Sequence, residues 1–200
     1  DYYDYIQLNR DEIAFCIADV SGKGVSAALI MSNFQASLRS LIKRTSSLTE
    51  LVTELNSIIL ATAKREKFIT AFIGKYNCFT RNLQFINAGH NPPLLLIGHQ
   101  FKELSDGSTI LGMFDKLPSV TEKNIYMPED AFLMCFTDGV TEQTNEDNEE
   151  FSIESLEHTL IQNKEEGVGT TIDNVITKLN EFKAGSEFSD DVALLGMRFR

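Results

Sequence analysis

The order of the secondary-structure signals is the feature that most restricts the fold of this chain. Two helical segments come early, a run of short strands follows, and a second helix pair precedes a last strand. A parallel α/β fold needs strands and helices to alternate, because each parallel connection requires a crossover. The order therefore favours an α+β protein with two mainly antiparallel sheets sandwiched between helix layers.

Periodicity and turn residues place the individual elements. Apolar residues recur at every third or fourth position over residues 25–44, which predicts a helix with one buried face. Ser47 and Glu50 form a capping-box pattern at the start of a second helix that reaches about residue 63. Two further helices are predicted at 153–163 and 170–183. The predicted strands are 1–8, 13–20, 69–76, 83–87, 94–97, 101–104, 120–127, 131–137 and 192–199.

Length and charge exclude several classes of protein. The length of 200 residues suits a single domain over 1–200. No apolar run comes near the length of about 18 residues that a membrane-spanning helix needs. The 18 Lys and Arg against 29 Asp and Glu give a net charge of −11, which argues against binding to nucleic acid or to an anionic membrane. A chain that begins at Asp1 without a signal segment is expected to be a fragment of a longer protein.

The three cysteines indicate a cellular compartment. Cys16, Cys78 and Cys135 lie far apart, show no C-x-x-C spacing and stand in apolar surroundings. This pattern is typical of buried thiols in a reducing environment rather than of a disulfide framework. We therefore expect a cytoplasmic location.

Four aspartates stand at the ends of predicted strands: Asp1, Asp19, Asp138 and Asp190. A single aspartate at such a position is most often a turn or capping residue. Several that converge on one edge would repel each other unless a cation neutralised them. Clusters of oxygen ligands select Mg²⁺ or Mn²⁺, and no pair of His or Cys has a spacing that suggests Zn²⁺. The hypothesis from the residues alone is a two-metal hydrolase site.

Five motifs in order resemble those of one enzyme family. They are DYYD at 1–4, ADVSGKG at 18–24, NAGHNPP at 87–93, FTDGVTE at 136–142 and SDD at 189–191. Together they cover essentially the whole chain and resemble the bacterial branch of the protein phosphatase 2C superfamily. Within it, the stage II sporulation protein E-like serine phosphatases are the most similar group.

The resemblance implies a four-layer αββα sandwich that binds two Mn²⁺ or Mg²⁺ ions and hydrolyses phosphoserine or phosphothreonine on proteins with a metal-activated water. By position, Asp19 would bridge the metals and the Val20 carbonyl would be a backbone ligand. Asp1 matches the early metal-binding carboxylate, and Asp138 and Asp190 match the later ones. Asp19 and Asp138 are accordingly the candidate catalytic residues.

Some positions stay open. Asp4 is an alternative to Asp1, and Asp191 is an alternative to Asp190. Eukaryotic-type members have a histidine where this chain has Ser21, so the general acid is unassigned, and their upstream phosphate-binding arginine has no counterpart here. Lys23 either contacts a substrate phosphate or is a solvated loop residue.

The resemblance also implies partners. Relatives of this branch often act on a phosphorylated anti-sigma-factor antagonist, and an upstream sensor or regulatory domain is expected. Helices in residues 25–63 would then form a regulatory switch. A catalytically silent module that binds a phosphoprotein is the main alternative, while a two-metal nuclease would need a basic track that a charge of −11 does not supply.

Three further features have structural interpretations. Gly22 and Gly24 are expected at positive φ, where they turn the chain after Asp19. His90, between Gly89 and two prolines, is expected to lock a turn by hydrogen bonding rather than to bind metal. The acidic segment 142–150 is expected to be a solvated flap.

Overall fold

The computed structural model describes residues 1–200 and divides into two compact units, each built on one sheet. Unit 1 comprises residues 1–92 and 105–127, and unit 2 comprises residues 93–104 and 128–200. The elements in chain order are β1 (Tyr2–Gln7), β2 (Glu12–Val20), α1 (Val25–Leu41), α2 (Leu48–Ala63), β3 (Ile69–Asn77), β4 (Asn82–Ala88), β5 (Leu94–Ile97), β6 (Gln100–Glu103), β7 (Gly107–Ser108), β8 (Lys123–Tyr126), β9 (Phe132–Phe136), α3 (Asp138–Thr141), α4 (Ser152–Gln162), α5 (Val168–Phe182) and β10 (Leu194–Arg198).

Unit 1 is a six-stranded sheet in the order β1-β2-β3-β4-β7, with β8 also paired to β4. All pairs are antiparallel except the short β4–β7 pair. Helices α1 and α2 pack on one face, where β2 presents the small side chains of Ala14, Cys16 and Ala18. Small residues at these positions leave room for the larger side chains of the helices, such as the fully buried Phe34 and Leu51.

Both helices of unit 1 follow from their sequence patterns. The buried side chains of α1 recur at helical spacing and include Ile30, Phe34 and Leu38. The predicted cap of α2 is present, since the Glu50 amide donates to Ser47 Oγ at 3.1 Å. The Glu50 carboxylate in turn accepts hydrogen bonds from Ser46 rather than from Ser47.

Unit 2 is a four-stranded antiparallel sheet in the order β10-β9-β5-β6. Helices α4 and α5 contribute Leu156, Leu160, Val175 and Leu179 to its buried core. The β9 strand is buried along its whole length, which explains why its sequence is continuously apolar.

The predicted α+β class is confirmed, with two mainly antiparallel sheets and a helix pair in each unit. Two short elements were not predicted, the two-residue strand β7 and the one-turn helix α3. The strand predicted at 120–127 is shorter, because only Lys123–Tyr126 pairs with β4, while Val120 makes an isolated bridge to Ser108. No helix combines the length and the apolar character that crossing a membrane requires.

The prediction that all three cysteines are buried is wrong for one of them. Cys16 and Cys135 are buried in β2 and β9, whereas Cys78 is exposed in the turn after β3. Strand β3 ends at Asn77, whose Oδ1 accepts hydrogen bonds from the Phe79 and Thr80 amides and so forms the turn. The Cys78 Sγ donates to the Asp11 carbonyl oxygen at 3.0 Å. All three are present as thiols.

Thiol chemistry should separate these cysteines. Burial raises the pKa of the Cys135 thiol, and the reactive species is the thiolate. We expect the folded chain to react rapidly with an aromatic disulfide reagent at Cys78 alone, and at all three thiols once it is unfolded. Rapid modification of Cys135 in the folded chain, mapped by mass spectrometry, would contradict the burial of β9.

The core of unit 1 provides a test of the α1 packing. Phe34 has no exposed surface and meets the Tyr2 ring edge to face, with ring centroids 6.1 Å apart. Phe34→Ala should lower the free energy of unfolding in urea by about 3–5 kcal/mol, since it removes a buried ring and leaves a cavity. Leu29→Ala on the same helix is the control, because Leu29 is 66% exposed and its loss should change stability by no more than about 0.5 kcal/mol.

Candidate functional site

Asp19 is the next-to-last residue of β2, close to the end of the strand. The antiparallel register pairs Asp19 with Thr70 of β3, and Ala18 with Tyr2 of β1. Continuing the β1–β2 register by one residue places Asp1 opposite Asp19. The structure therefore brings Asp1, Asp19 and Thr70 to the same end of the sheet of unit 1.

Strand alternation decides which face Asp19 occupies. Ala18 and Val20 belong to the core beneath α1 and α2, so Asp19 points to the other face of the sheet. Its side chain is partly exposed there. By the same alternation Asp1 shares the face of Asp19, because paired residues of antiparallel strands point in the same direction.

Asp4 has different surroundings from Asp1. Its carboxylate accepts hydrogen bonds from Arg39 Nε at 2.6 Å and from Arg39 Nη2 at 2.7 Å, and the Tyr2 hydroxyl donates to it at 2.5 Å. Burial and the hydrogen bond to Asp4 raise the pKa of the Tyr2 hydroxyl, which therefore keeps its proton. Asp4 thus lies on the helix side of the sheet, in an ion pair with α1 and on the face opposite to Asp19.

A buried hydrogen-bond network supports Thr70. The Thr70 hydroxyl lies 2.9 Å from His90 Nδ1. The His90 amide donates to Asn87 Oδ1 at 2.8 Å, and Asn87 Nδ2 donates back to the His90 carbonyl at 3.0 Å. The Asn87 side chain thus holds the turn after β4 through the His90 backbone, while the His90 ring contacts Thr70 of the neighbouring strand.

The loop after Asp19 is shaped by glycine. Gly22 and Gly24 adopt φ values of 78° and 88°, as predicted from their positions. Ser21 is tied to the start of β3, since its amide donates to the Phe68 carbonyl at 2.9 Å and its Oγ accepts from the Phe68 amide at 2.9 Å. Lys23 is exposed between the two glycines.

In unit 2, Asp138 begins the one-turn helix α3 directly after β9. The preceding residue, Thr137, ties this point to the start of β10. Its amide donates to the Ala193 carbonyl at 3.2 Å, and its Oγ1 accepts from the Ala193 amide at 3.0 Å. The end of β9 and the segment that carries Asp190 and Asp191 are therefore neighbours.

Close backbone approach and a buried amide hold the Asp190 segment. A Cβ atom on Gly139 would lie 2.2 Å from the Asp191 carbonyl oxygen, so only glycine fits there. The buried Gln143 side chain accepts a hydrogen bond from the Ser189 amide at 3.1 Å. Asp190 Oδ1 accepts from the Asp191 amide at 2.8 Å, which orients the Asp190 carboxylate within its own loop.

Negative charge accumulates around this part of unit 2. Burial is the largest cause of a raised pKa at the Glu142 carboxyl. The negative charges of Asp138, Glu150 and Asp190 raise that pKa further. Like charges within electrostatic reach of each other favour binding of a cation.

The donor chemistry fits Mg²⁺ or Mn²⁺, because the candidate ligands are carboxylate oxygens and one backbone carbonyl. No three His, Cys, Asp or Glu side chains in residues 1–200 already stand together as ligands of one ion. The residues fit a divalent cation because their donor atoms are oxygens. A cation would also reduce the repulsion among the carboxylates around Glu142.

Sequence reasoning missed three residues whose side chains make hydrogen bonds close to the segments that carry the candidate carboxylates. Thr70, Gln143 and Lys67 bond to the backbone or side chains of the loops, and none of them belongs to a strand-end aspartate pattern. Thr137 and Gly139 were visible in the motif at 136–142, but their contacts with the Asp191 segment were not.

Comparisons with known proteins identify the family of the chain. A family model described as Stage II sporulation protein E (SpoIIE) matches residues 9–200. The phosphoserine phosphatase RsbU of Bacillus subtilis (strain 168) is 26% identical over 194 residues, which cover 94% of this chain and 57% of RsbU. The chain therefore spans little more than half the length of this relative.

Solved structures show the same fold. The SiaA-PP2C domain of Pseudomonas aeruginosa matches 100% of this chain and 80% of its own with a TM-score of 0.86, at 17% identity. RsbX, solved in complex with magnesium, matches 98% of this chain and 86% of its own with a TM-score of 0.64, at 15% identity. The predicted fold is thus confirmed as that of a PP2C-type domain.

The contact between Gly139 and Asp191 can be tested by adding a methyl group. Gly139→Ala should lower the free energy of unfolding by about 1–3 kcal/mol, because the Asp191 backbone must move to admit the Cβ atom. Gly169→Ala in α5 is the matched control, since nothing lies within 4 Å of its Cβ position. Urea unfolding measures both, and equal effects of the two substitutions would contradict the close approach.

Proposed function

Because the chain belongs to the stage II sporulation protein E family, we propose that it is a metal-dependent phosphatase that hydrolyses phosphoserine or phosphothreonine on a protein. The observation that carries the proposal is the placement of the strand-end carboxylates. Asp1 and Asp19 share one end and one face of the sheet in unit 1, and Asp138 and Asp190 are neighbours in unit 2.

We assign the metal ligands to Asp1, Asp19, the Val20 carbonyl, Asp138 and Asp190, for two Mn²⁺ or Mg²⁺ ions. The ion pair of Asp4 with Arg39 supports Asp1 over Asp4. Asp190 is kept as the ligand because it matches the later family motif by position, and Asp191 is the alternative. The RsbX structure in complex with magnesium agrees with this choice of ion.

The ions, when bound, would activate a water and neutralise charge on the phosphoryl group. The chain's own contribution is to hold the oxygen ligands in fixed directions through strand register and backbone hydrogen bonds. Thr70, which contacts His90, is paired with Asp19 in the sheet and lies on the same face. Ser21 and Lys23 are secondary candidate residues of the site, and Lys23 is the candidate for contact with the substrate phosphate.

We further propose that residues 1–200 act as one catalytic domain of a longer cytoplasmic protein. The greater length of RsbU supports an additional sensor or regulatory domain. The substrate class that fits the family is a phosphorylated anti-sigma-factor antagonist. A net charge of −11 supports a protein substrate over nucleic acid or an anionic membrane.

Hydrolysis assays test the activity directly. We expect the chain to release phosphate from a phosphoserine peptide and from an aryl phosphate with Mn²⁺ or Mg²⁺, and to lose this activity with a chelator. Asp19→Asn and Asp138→Asn should each lower turnover about 100-fold or more, because each removes a charged ligand. The control is Asp173→Asn, which changes an exposed aspartate of α5 and should retain full turnover.

The outcomes separate the two main candidates. Metal-dependent turnover that is lost in Asp19→Asn and Asp138→Asn supports the phosphatase. Binding of Mn²⁺ and of a phosphopeptide without any turnover would instead indicate a silent phosphoprotein-binding module. Full turnover in Asp138→Asn would show that the ligand assignment is wrong.

A further inference from the structure

Lys67 lies outside every motif of the sequence, in the connection between α2 and β3. Its side chain is half-buried, and its Nζ donates to the Ser21 carbonyl oxygen at 2.9 Å. Ser21 follows directly on Asp19 and Val20, the proposed ligands at the end of β2. The ammonium group of Lys67 is therefore hydrogen-bonded to the backbone of the residue that follows the proposed ligands Asp19 and Val20.

Ser21 is held on both of its peptide planes. The plane before it contains the Val20 carbonyl and the Ser21 amide, and that amide donates to the Phe68 carbonyl at 2.9 Å. Because a trans peptide is planar, this bond directs the Val20 carbonyl away from Phe68. The plane after Ser21 is held by Lys67 through the Ser21 carbonyl.

The chain beyond Ser21 has little intrinsic stiffness. Gly22 and Gly24 are at positive φ and have the large conformational freedom of glycine. A Cβ atom at Gly22 would lie 2.6 Å from Lys67 Nζ, so the glycine is also what admits the ammonium group. The Lys67 bond is charge-assisted and thus roughly twice as strong as a neutral hydrogen bond.

On the basis of the proposed function, we propose that Lys67 is a positioning residue: by holding the Ser21 carbonyl it keeps the peptide after Ser21 from rotating and so supports the directions that strand register and the Phe68 bond give to the Asp19 and Val20 ligands. The sign of its effect on metal binding separates this role from a purely electrostatic one. An ammonium group repels a divalent cation, so a charge effect alone would make Mn²⁺ bind more tightly when Lys67 is removed. Loss of a positioning contact makes Mn²⁺ bind more weakly.

The test compares Lys67→Met with Lys43→Met. Methionine retains the length of the side chain at position 67 and removes the ammonium group. Lys43 is exposed in the turn after α1, so its substitution changes the net charge equally without touching Ser21. We expect Lys67→Met to weaken Mn²⁺ binding about 10-fold, measured by titration calorimetry, and Lys43→Met to leave it unchanged. Lys67→Arg, which keeps a cationic donor, should recover part of the affinity.

A second measurement uses the protein without metal. Amide hydrogen exchange of residues 20–24 should be faster in Lys67→Met than in the parent chain and in Lys43→Met, because the Ser21 peptide is no longer held. Urea unfolding of the same variants shows whether the fold is retained. This readout is independent of turnover, so it remains informative if the chain proves to be catalytically silent.

Each result decides the role of Lys67. Weaker Mn²⁺ binding together with faster exchange at residues 20–24 supports it. Unchanged or tighter Mn²⁺ binding in Lys67→Met overturns it, as does unchanged exchange in this loop. Absence of hydrolysis by the parent chain, with Mn²⁺ still bound, would contradict the proposed phosphatase and leave the positioning role standing.

Discussion

The antiparallel pairing of β2 with β1 and β3 is the constraint on which the site in unit 1 depends. It sets Asp19 between the position of Asp1 and that of Thr70. Side chains alternate along a strand, so a shift of one residue would move Asp19 into the aliphatic core under the helices. The small residues Ala14 and Ala18 beneath the helices keep β2 in this register, because polar Asp19 cannot replace them there.

In unit 2, backbone contacts position the candidate carboxylates. Thr137 bonds to both polar groups of the Ala193 backbone, and Gly139 lets the Asp191 carbonyl approach closely. These contacts bring Asp138 and Asp190 near to Glu142, whose pKa is raised mainly by burial and further by the negative charges around it. The same backbone interactions that join the strands therefore also bring these carboxylates together.

Much of the fold could be predicted because its signals are local. The apolar spacing of α1 and α2 and the cap at Ser47 lie within a few residues of the features that they specify. The short elements β7 and α3 could not be predicted, since two or four residues carry no periodicity. The exposure of Cys78 was missed because Cys78 follows the apolar strand β3 and precedes Phe79, although the Asn77 side chain already turns the chain at this point.

The order of the main elements, the glycine turns and the identity of the strand-end carboxylates can be read from the sequence, because these depend on residue type and on neighbours in the chain. The pairing of Asp4 with Arg39, the position of Asp19 on the opposite face and the bond from Lys67 to Ser21 across 46 positions of sequence become visible in the folded chain alone. Register and packing join residues that are distant along the chain, and no local pattern specifies which of these will meet.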